Sequence, residues 1–130
     1  MKAPILGRVK AYEFNITLGL VLAESVILLW MSFTPGAVVE AYSFLYFNTA
    51  TFGHLMAYMA YGCLLGRVFG LRNGTLEKRE IIFLALVIGT CFGLINEMIQ
   101  SGIPGRSMSM LDVTANLIGA FIGGWISARF

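Results

Sequence analysis

The sequence predicts an all-α integral membrane protein, a four-helix bundle, from its apolar composition and from four long apolar stretches. The chain has 130 residues, 58% of them hydrophobic and 12% charged, whereas soluble domains are roughly 45–50% apolar. Crossing a hydrocarbon core takes roughly 20 helical residues. Apolar stretches of about that length cover residues 14–33, 49–70, 81–100 and 110–128. They occupy most of the chain, which predicts one domain over residues 1–130.

The distribution of basic residues predicts the orientation of these spans. Basic residues precede the first span and surround the link between the second and third, whereas the link between the first and second has none; they are Lys2, Arg8, Lys10, Arg67, Arg72, Lys78 and Arg79. The positive-inside rule therefore predicts that both termini lie in the cytoplasm. The first apolar run is too long for the core of a signal peptide, so an uncleaved anchor in a multi-pass plasma membrane protein is expected.

Charge and cysteine content exclude some functional classes. The formal net charge is only +2, and the basic residues do not form a patch interleaved with aromatic residues, so no nucleic acid is expected as a partner. Cys63 and Cys91 both fall inside predicted spans, and no disulfide framework is implied. The aromatic segment 34–48 is interpreted either as an interfacial belt or as a short surface helix over the outer mouth of the bundle.

Polar and small residues recur every three or four positions in the last three spans, which places them on one helix face. These stripes include His54, Tyr58 and Gly66, then Gly89, Gly93, Glu97 and Gln100, then Asp112, Asn116, Gly119 and Gly123. We expect them to point inward, since each polar group left unsatisfied in lipid costs several kcal/mol. These inward-facing residues predict a polar pocket in the extracytoplasmic half of the bundle. The glycine spacing also predicts close helix packing.

Glu97 and His54 are the candidate catalytic residues. An ionisable side chain inside a membrane span is by default a functional candidate, although a hydrogen-bonded glutamate that only joins helices is the alternative for Glu97. His54 near a buried carboxylate could act as a general acid or base, with Tyr58 orienting it. A lone interior histidine is more often structural. The chain has one histidine, and its spacing to Tyr58 does not indicate a metal site, so neither metal nor cofactor is predicted.

Arg106 lies in the turn between the third and fourth spans. A guanidinium there could clamp Glu97 or Asp112, or bind a phosphate or carboxylate that arrives from outside; reaching into the lipid headgroups is the alternative. Asp112 has its own alternative, which is to cap the start of the fourth helix. The predicted ligand-binding residues are Arg106, Gln100, Asp112, Asn116 and Tyr58.

The stretch "NEMIQSGIPGRSMSMLDVTANLIGAFIGG" resembles the hallmark of the VanZ-like family. That hallmark is a Glu and a Gln three residues later, a Pro-Gly-Arg turn, then an Asp and an Asn followed by Gly-Ala. Here these residues are Glu97, Gln100, Pro104, Gly105, Arg106, Asp112, Asn116, Gly119 and Ala120. A second match is "HLMAY", His54 and Tyr58. The resemblance covers roughly residues 50–124, and "NTATFGH" lacks the charged pair that often precedes the histidine in this family.

The resemblance implies a small integral membrane protein whose family namesake is associated with low-level resistance to the glycopeptide teicoplanin. It implies no reaction. Three hypotheses stay open: a pocket that binds an amphiphilic envelope lipid, a lipid-linked wall precursor or a lipoglycopeptide; an intramembrane acid/base enzyme that acts on a lipid-linked envelope substrate; and a non-catalytic membrane scaffold. A homodimer through a spare face of the fourth span is a further alternative.

Overall fold

Helices account for most of the residues that the structure, a computed structural model, describes, namely 3–38, 49–72 and 74–130. Four long helices lie in these ranges: α1 (Ala3–Ser32), α2 (Thr49–Arg72), α3 (Lys78–Ser101) and α4 (Met110–Ser127). No strand occurs in the described ranges, so the all-α prediction is confirmed. Residues 36–38 are also helical, so the predicted count of four is not confirmed. Most of the predicted surface helix, residues 39–48, lies outside the described residues.

Local sequence signals explain where α3 and α4 begin and where α3 ends. The backbone N–H of Glu77 donates to the Glu80 carboxylate at 2.8 Å, which ties down the first turn of α3. The helix ends at Gly102, two residues before Pro104. Ser109 caps α4, because its hydroxyl accepts the backbone N–H of Asp112 at 3.3 Å.

Three of the long helices in the described ranges have the length and hydropathy to cross a membrane: residues Gly7–Ser32 of α1, all of α3 and all of α4. The protein is therefore a membrane protein, but the prediction of four such spans is not confirmed, since α2 is not among these three. This helix carries His54, Arg67 and Arg72. It packs against α1, α3 and α4, and a helix shielded by neighbours needs less apolar surface than one that faces lipid.

The distribution of side chains differs from that in a soluble domain, because polar residues are buried and many large apolar residues are exposed. Several polar residues are buried beside the apolar core: Glu97 is 0% exposed, Asn116 1% and Asn96 2%. Large apolar residues face outward, among them Trp30 at 74% and Met98 at 65% exposed. A surface of this kind is stable in lipid, where the apolar side chains need no burial and the polar groups must find partners within the protein.

Helices α2 and α4 approach most closely, through glycines. A Cβ added to Gly62 would lie 2.8 Å from the Cα of Ala120, and one added to Gly119 would lie 2.9 Å from the backbone nitrogen of Met59. At Gly123 it would collide with the backbone of α2. The predicted packing role of the regularly spaced small residues is confirmed, because only glycine permits these backbone separations.

The helices alternate in direction and so share two ends. At the pocket end, the turn after α1 meets the turn between α3 and α4, where the Gly36 N–H donates to the Pro104 carbonyl at 3.2 Å and Gly105 has a φ of 75°. At the terminal end, Arg67 of α2 lies 3.2 Å from Glu13 of α1. The pocket end comprises residues 32–38, 49–54 and 100–112; the terminal end holds the first turns of α1 and α3 and the last turns of α2 and α4.

Candidate functional site

A cavity of about 480 Å³ lies between α1, α2 and α3 near the pocket end. Its wall is mostly apolar, with a few polar groups, which is the composition of a small-molecule site. The lining residues are Leu28, Met31, Ser32, Thr34, Val38, Ala50, Gly53, His54, Ala57, Tyr58, Asn96, Gln100 and Arg106. Four predicted site residues, His54, Tyr58, Gln100 and Arg106, therefore belong to one wall.

The His54 imidazole lies between side chains from two other helices. Its Nδ1 is 3.0 Å from the Oδ1 of Asn116 on α4. Its Nε2 is 3.6 Å from the Oε1 of Glu97 on α3. The amide oxygen of Asn116 accepts a hydrogen bond from Nδ1, so Nε2 is the ring nitrogen that faces the carboxylate. The sequence-based expectation that these three residues gather in one place is confirmed by these distances.

Glu97 is completely buried, and its two oxygens have different environments. Oε2 accepts the backbone N–H of Ser109 at 3.1 Å, which joins α3 to the start of α4. Oε1 has no hydrogen-bond partner among the described residues, because the 3.6 Å separation from the His54 nitrogen exceeds hydrogen-bonding distance. A fully buried carboxylate oxygen without a partner is uncommon, which indicates that Oε1 binds a further group.

Asp112 lies in the first turn of α4 but does not cap it. Ser109 is the capping residue, and the Asp112 carboxylate instead accepts a hydrogen bond from the Thr51 hydroxyl on α2. A carboxylate in a first helical turn is also favoured by the helix dipole, an interaction that does not require it to cap the helix. The capping alternative for the Asp112 side chain is therefore corrected, since the serine three residues earlier supplies the acceptor.

Arg106 projects from the α3–α4 turn toward neutral oxygens. One terminal nitrogen donates to the Gln100 side chain at 2.6 Å. The other lies 3.4 Å from each of the backbone carbonyls of Met31 and Thr34. Within the described ranges it forms no ion pair, so the expectation that it clamps Glu97 or Asp112 is wrong. The turn directs the guanidinium toward α1, away from the two acids.

Tyr58 does not orient His54 by a hydrogen bond. Its hydroxyl accepts from the Asn96 side chain at 2.6 Å, while its ring stacks on the imidazole with centroids 6.5 Å apart and planes inclined by 13°. The hydrogen bond that orients the imidazole comes from Asn116. Tyr58 was predicted to orient the imidazole, but its contact with His54 is a ring stack and Asn116 makes the orienting hydrogen bond.

Sequence reasoning missed Thr51 and Ser32. Thr51 precedes His54 by three residues and so shares its helix face, a spacing that could have identified it. Ser32 accepts from the Gln100 amide at 3.4 Å and is 1% exposed. No sequence pattern marks Ser32, because the contact depends on the packing of α1 against α3.

His54, Glu97 and Asp112 offer three donor atoms that all lie within 4.8 Å of one another. The donor types, one imidazole and two carboxylates, are those that divalent metal ions bind in proteins. No spacing along the chain indicates this group, because each residue belongs to a different helix.

The comparisons with known proteins agree with the resemblance in the motifs. No curated protein and no solved structure matches the chain. A family model described as VanZ/LLP1 matches residues 7–130 and so includes α1, which the motifs alone did not reach. The match covers nearly the whole chain, and the protein therefore belongs to the VanZ/LLP1 family.

Proposed function

We propose that this protein binds an amphiphilic molecule of the cell envelope, with an anionic headgroup at Arg106 and an apolar tail in the cavity. Candidate ligands are a lipid-linked wall precursor and the lipid-bearing part of a lipoglycopeptide. The observation that carries the proposal is the position of Arg106: it lines the cavity and, within the described ranges, contacts only neutral oxygens.

The contacts of Arg106 leave its positive charge available to an anion. Neutral acceptors satisfy part of its hydrogen-bonding capacity but do not neutralise its charge, and guanidinium binds phosphate or carboxylate strongly through paired hydrogen bonds. The hydrogen bond to Gln100 holds the side chain beside the cavity. Leu28, Val38 and Ala57 give the cavity apolar surface for an acyl or isoprenyl chain.

The distribution of charge supports an outward-facing pocket in the plasma membrane. Except for Arg106, the basic residues in the described ranges lie toward the terminal end; they are Arg8, Lys10, Arg67, Arg72, Lys78, Arg79 and Arg129. By the positive-inside rule, this distribution supports cytoplasmic termini and a cavity that opens toward the extracytoplasmic side. A glycopeptide outside the cell could then contact a ligand bound in the cavity. A link to teicoplanin resistance is therefore part of this proposal.

Binding to purified protein tests the proposal. We expect native mass spectrometry and ligand titration in detergent to detect a polyprenyl-pyrophosphate lipid or teicoplanin. Arg106→Ala should weaken binding at least tenfold, because the anionic group loses its charged partner. Gly53→Leu should also block binding by filling the cavity. Arg129→Ala is the control, since Arg129 lies over the Trp125 ring at the terminal end. Binding that is insensitive to Arg106→Ala, or no binding of either ligand, would contradict the proposal.

A second candidate is an intramembrane enzyme in which His54 and Glu97 exchange protons with a lipid-linked substrate. The position of His54 between Asn116 and Glu97 favours it, because the imidazole is oriented through one nitrogen and leaves the other for proton transfer. Glu97→Gln should retain ligand binding and lose cellular activity. A Glu97→Gln variant that folds, binds the ligand and keeps full cellular activity would exclude this candidate.

The third candidate is a non-catalytic scaffold. It is favoured by the Glu97 contact with the Ser109 backbone, which joins α3 to α4. This role predicts that Glu97→Gln lowers stability more than it lowers cellular function, and the reverse result would eliminate it.

A further inference from the structure

The group formed by His54, Glu97 and Asp112 brings together one side chain from each of α2, α3 and α4. Their donor atoms lie within 4.8 Å of one another. A convergence of residues so far apart in the sequence depends on the packing of all three helices. Two features of the donors, their separation and their outer hydrogen bonds, bear on what could lie between them.

The separation between His54 and Glu97 suits two ligands of one ion better than a hydrogen bond. Nε2 and Oε1 are 3.6 Å apart, which is too far for a normal hydrogen bond. Two ligands that hold an ion tetrahedrally at bond lengths of 2.0–2.1 Å are about 3.3–3.4 Å apart. A small inward movement of either side chain would complete such a pair.

Each of the three side chains is also held from outside the group. The imidazole Nδ1 pairs with Asn116, the Glu97 Oε2 accepts from the Ser109 backbone, and the Asp112 carboxylate accepts from Thr51. Metal-binding histidines typically donate their other ring nitrogen to an oxygen, and metal-binding carboxylates are themselves hydrogen-bonded. The described contacts reproduce this arrangement on all three donors.

The Glu97 Oε1 is an independent indication of a ligand. It belongs to a side chain that is 0% exposed, it points toward His54, and it has no hydrogen-bond partner in the described ranges. A buried carboxylate oxygen is costly without a donor or a cation. A positive ion between Glu97, His54 and Asp112 would supply the missing partner of the Glu97 Oε1.

We propose that His54, Glu97 and Asp112 bind one divalent transition-metal ion, of which Zn²⁺ is the representative. Imidazole favours zinc and its neighbours over magnesium and calcium, and carboxylates accept all of these ions. Three protein ligands leave a fourth position open for water or another ligand. His54 also lines the cavity, so the ion lies beside it. This site does not depend on the proposed function, which rests on Arg106.

Metal titration of the purified protein tests this site. The protein in detergent is stripped with a chelator and titrated with Zn²⁺ by calorimetry, and retained metal is quantified after desalting. We expect about one ion per chain. Asp112→Asn and Glu97→Gln should each weaken binding at least 100-fold, because each removes a charged ligand. Thr51→Val should weaken it by about 10–100-fold, the usual effect of losing an outer hydrogen bond to a ligand.

Two control variants test whether a loss of Zn²⁺ binding is specific to these three residues. Glu24→Gln removes another carboxylate within a membrane span, and Arg106→Ala removes the proposed headgroup contact; both should bind Zn²⁺ like the unmodified protein. If Glu97→Gln fails to fold, Asp112→Asn and Thr51→Val decide the outcome. Absence of saturable binding near one ion per chain would overturn the proposal. So would unchanged binding in the folded ligand variants, or saturation by Mg²⁺ or Ca²⁺ but not by Zn²⁺ or Mn²⁺.

Discussion

On its α4 side, helix α2 meets the neighbouring backbone almost directly, whereas near the pocket end a cavity lies between α2 and α1. Gly62 faces α4, and a Cβ there would lie 2.8 Å from the Ala120 Cα. Gly53, nine residues earlier on the same helix, lines the cavity and has no atom within 4 Å of an added Cβ. The difference shows that glycines of one helix serve opposite purposes: one closes an interface, and the other leaves space for a ligand.

The largest effect is expected from a side chain added on the closed side. Gly62→Ala should lower the free energy of unfolding by about 3 kcal/mol, the upper part of the usual range for overpacking, because the Ala120 backbone cannot move away without displacing α4. Unfolding in mixed detergent micelles measures the change.

Gly53→Ala is the matched control for this effect. It should leave stability unchanged or raise it by up to about 1 kcal/mol, because alanine is the better helix former and meets open space. Equal losses in the two variants would contradict the contrast between the two sides of α2.

A smaller loss is expected from Tyr58→Phe, beside the cavity. The Tyr58 hydroxyl accepts from the Asn96 Nδ2, and the Asn96 Oδ1 has no partner among the residues that the structure describes. Removing the hydroxyl leaves a buried amide unsatisfied, which costs about 1–3 kcal/mol. Thermal unfolding checks the value. Tyr61→Phe should cost less, since its partner Ser25 keeps a second hydrogen bond to Val21; a greater loss for Tyr61→Phe would reverse this order.

The cap of α4 should contribute less again. Ser109→Ala removes the acceptor for the Asp112 N–H and should cost about 1 kcal/mol, while the backbone contact of Ser109 with Glu97 remains. Ser101→Ala is the control: its exposed hydroxyl bonds only to the preceding turn, so its loss should be near zero. Comparable melting temperatures for the two variants would show that the cap is unimportant.

The smallest effect is expected at the terminal end, between Glu13 and Arg67. Their side chains are 45% and 42% exposed, and exposed ion pairs contribute at most about 1 kcal/mol. Glu13→Gln should therefore change stability by less than about 0.5 kcal/mol, with no change in ligand binding. A loss as large as that of Tyr58→Phe would indicate a structural centre at the terminal end as well.

The sequence predicted the helices well because their signals are local. Apolar length, the polar stripes and the glycine spacing depend on residues close together in the chain, and the predicted residues His54, Glu97 and Asn116 do meet. The fourth predicted span, α2, is not confirmed, because the fit of this helix to the membrane interior depends on shielding by the other helices. The partners of Arg106 and Tyr58 were also misassigned, since those contacts join segments distant in sequence.

Sequence alone determined that the chain is a helical membrane protein of the VanZ-like kind and that Glu97 and Asn116 inside the spans face inward. The physical reason is the bilayer: it demands internal hydrogen bonds and an apolar exterior, and both demands leave a periodic pattern in the chain. Only the tertiary structure decided that Arg106 faces neutral oxygens and that His54, Glu97 and Asp112 converge. Those relations depend on helix rotation and separation, which glycine contacts between α2 and α4 set across more than fifty residues of sequence.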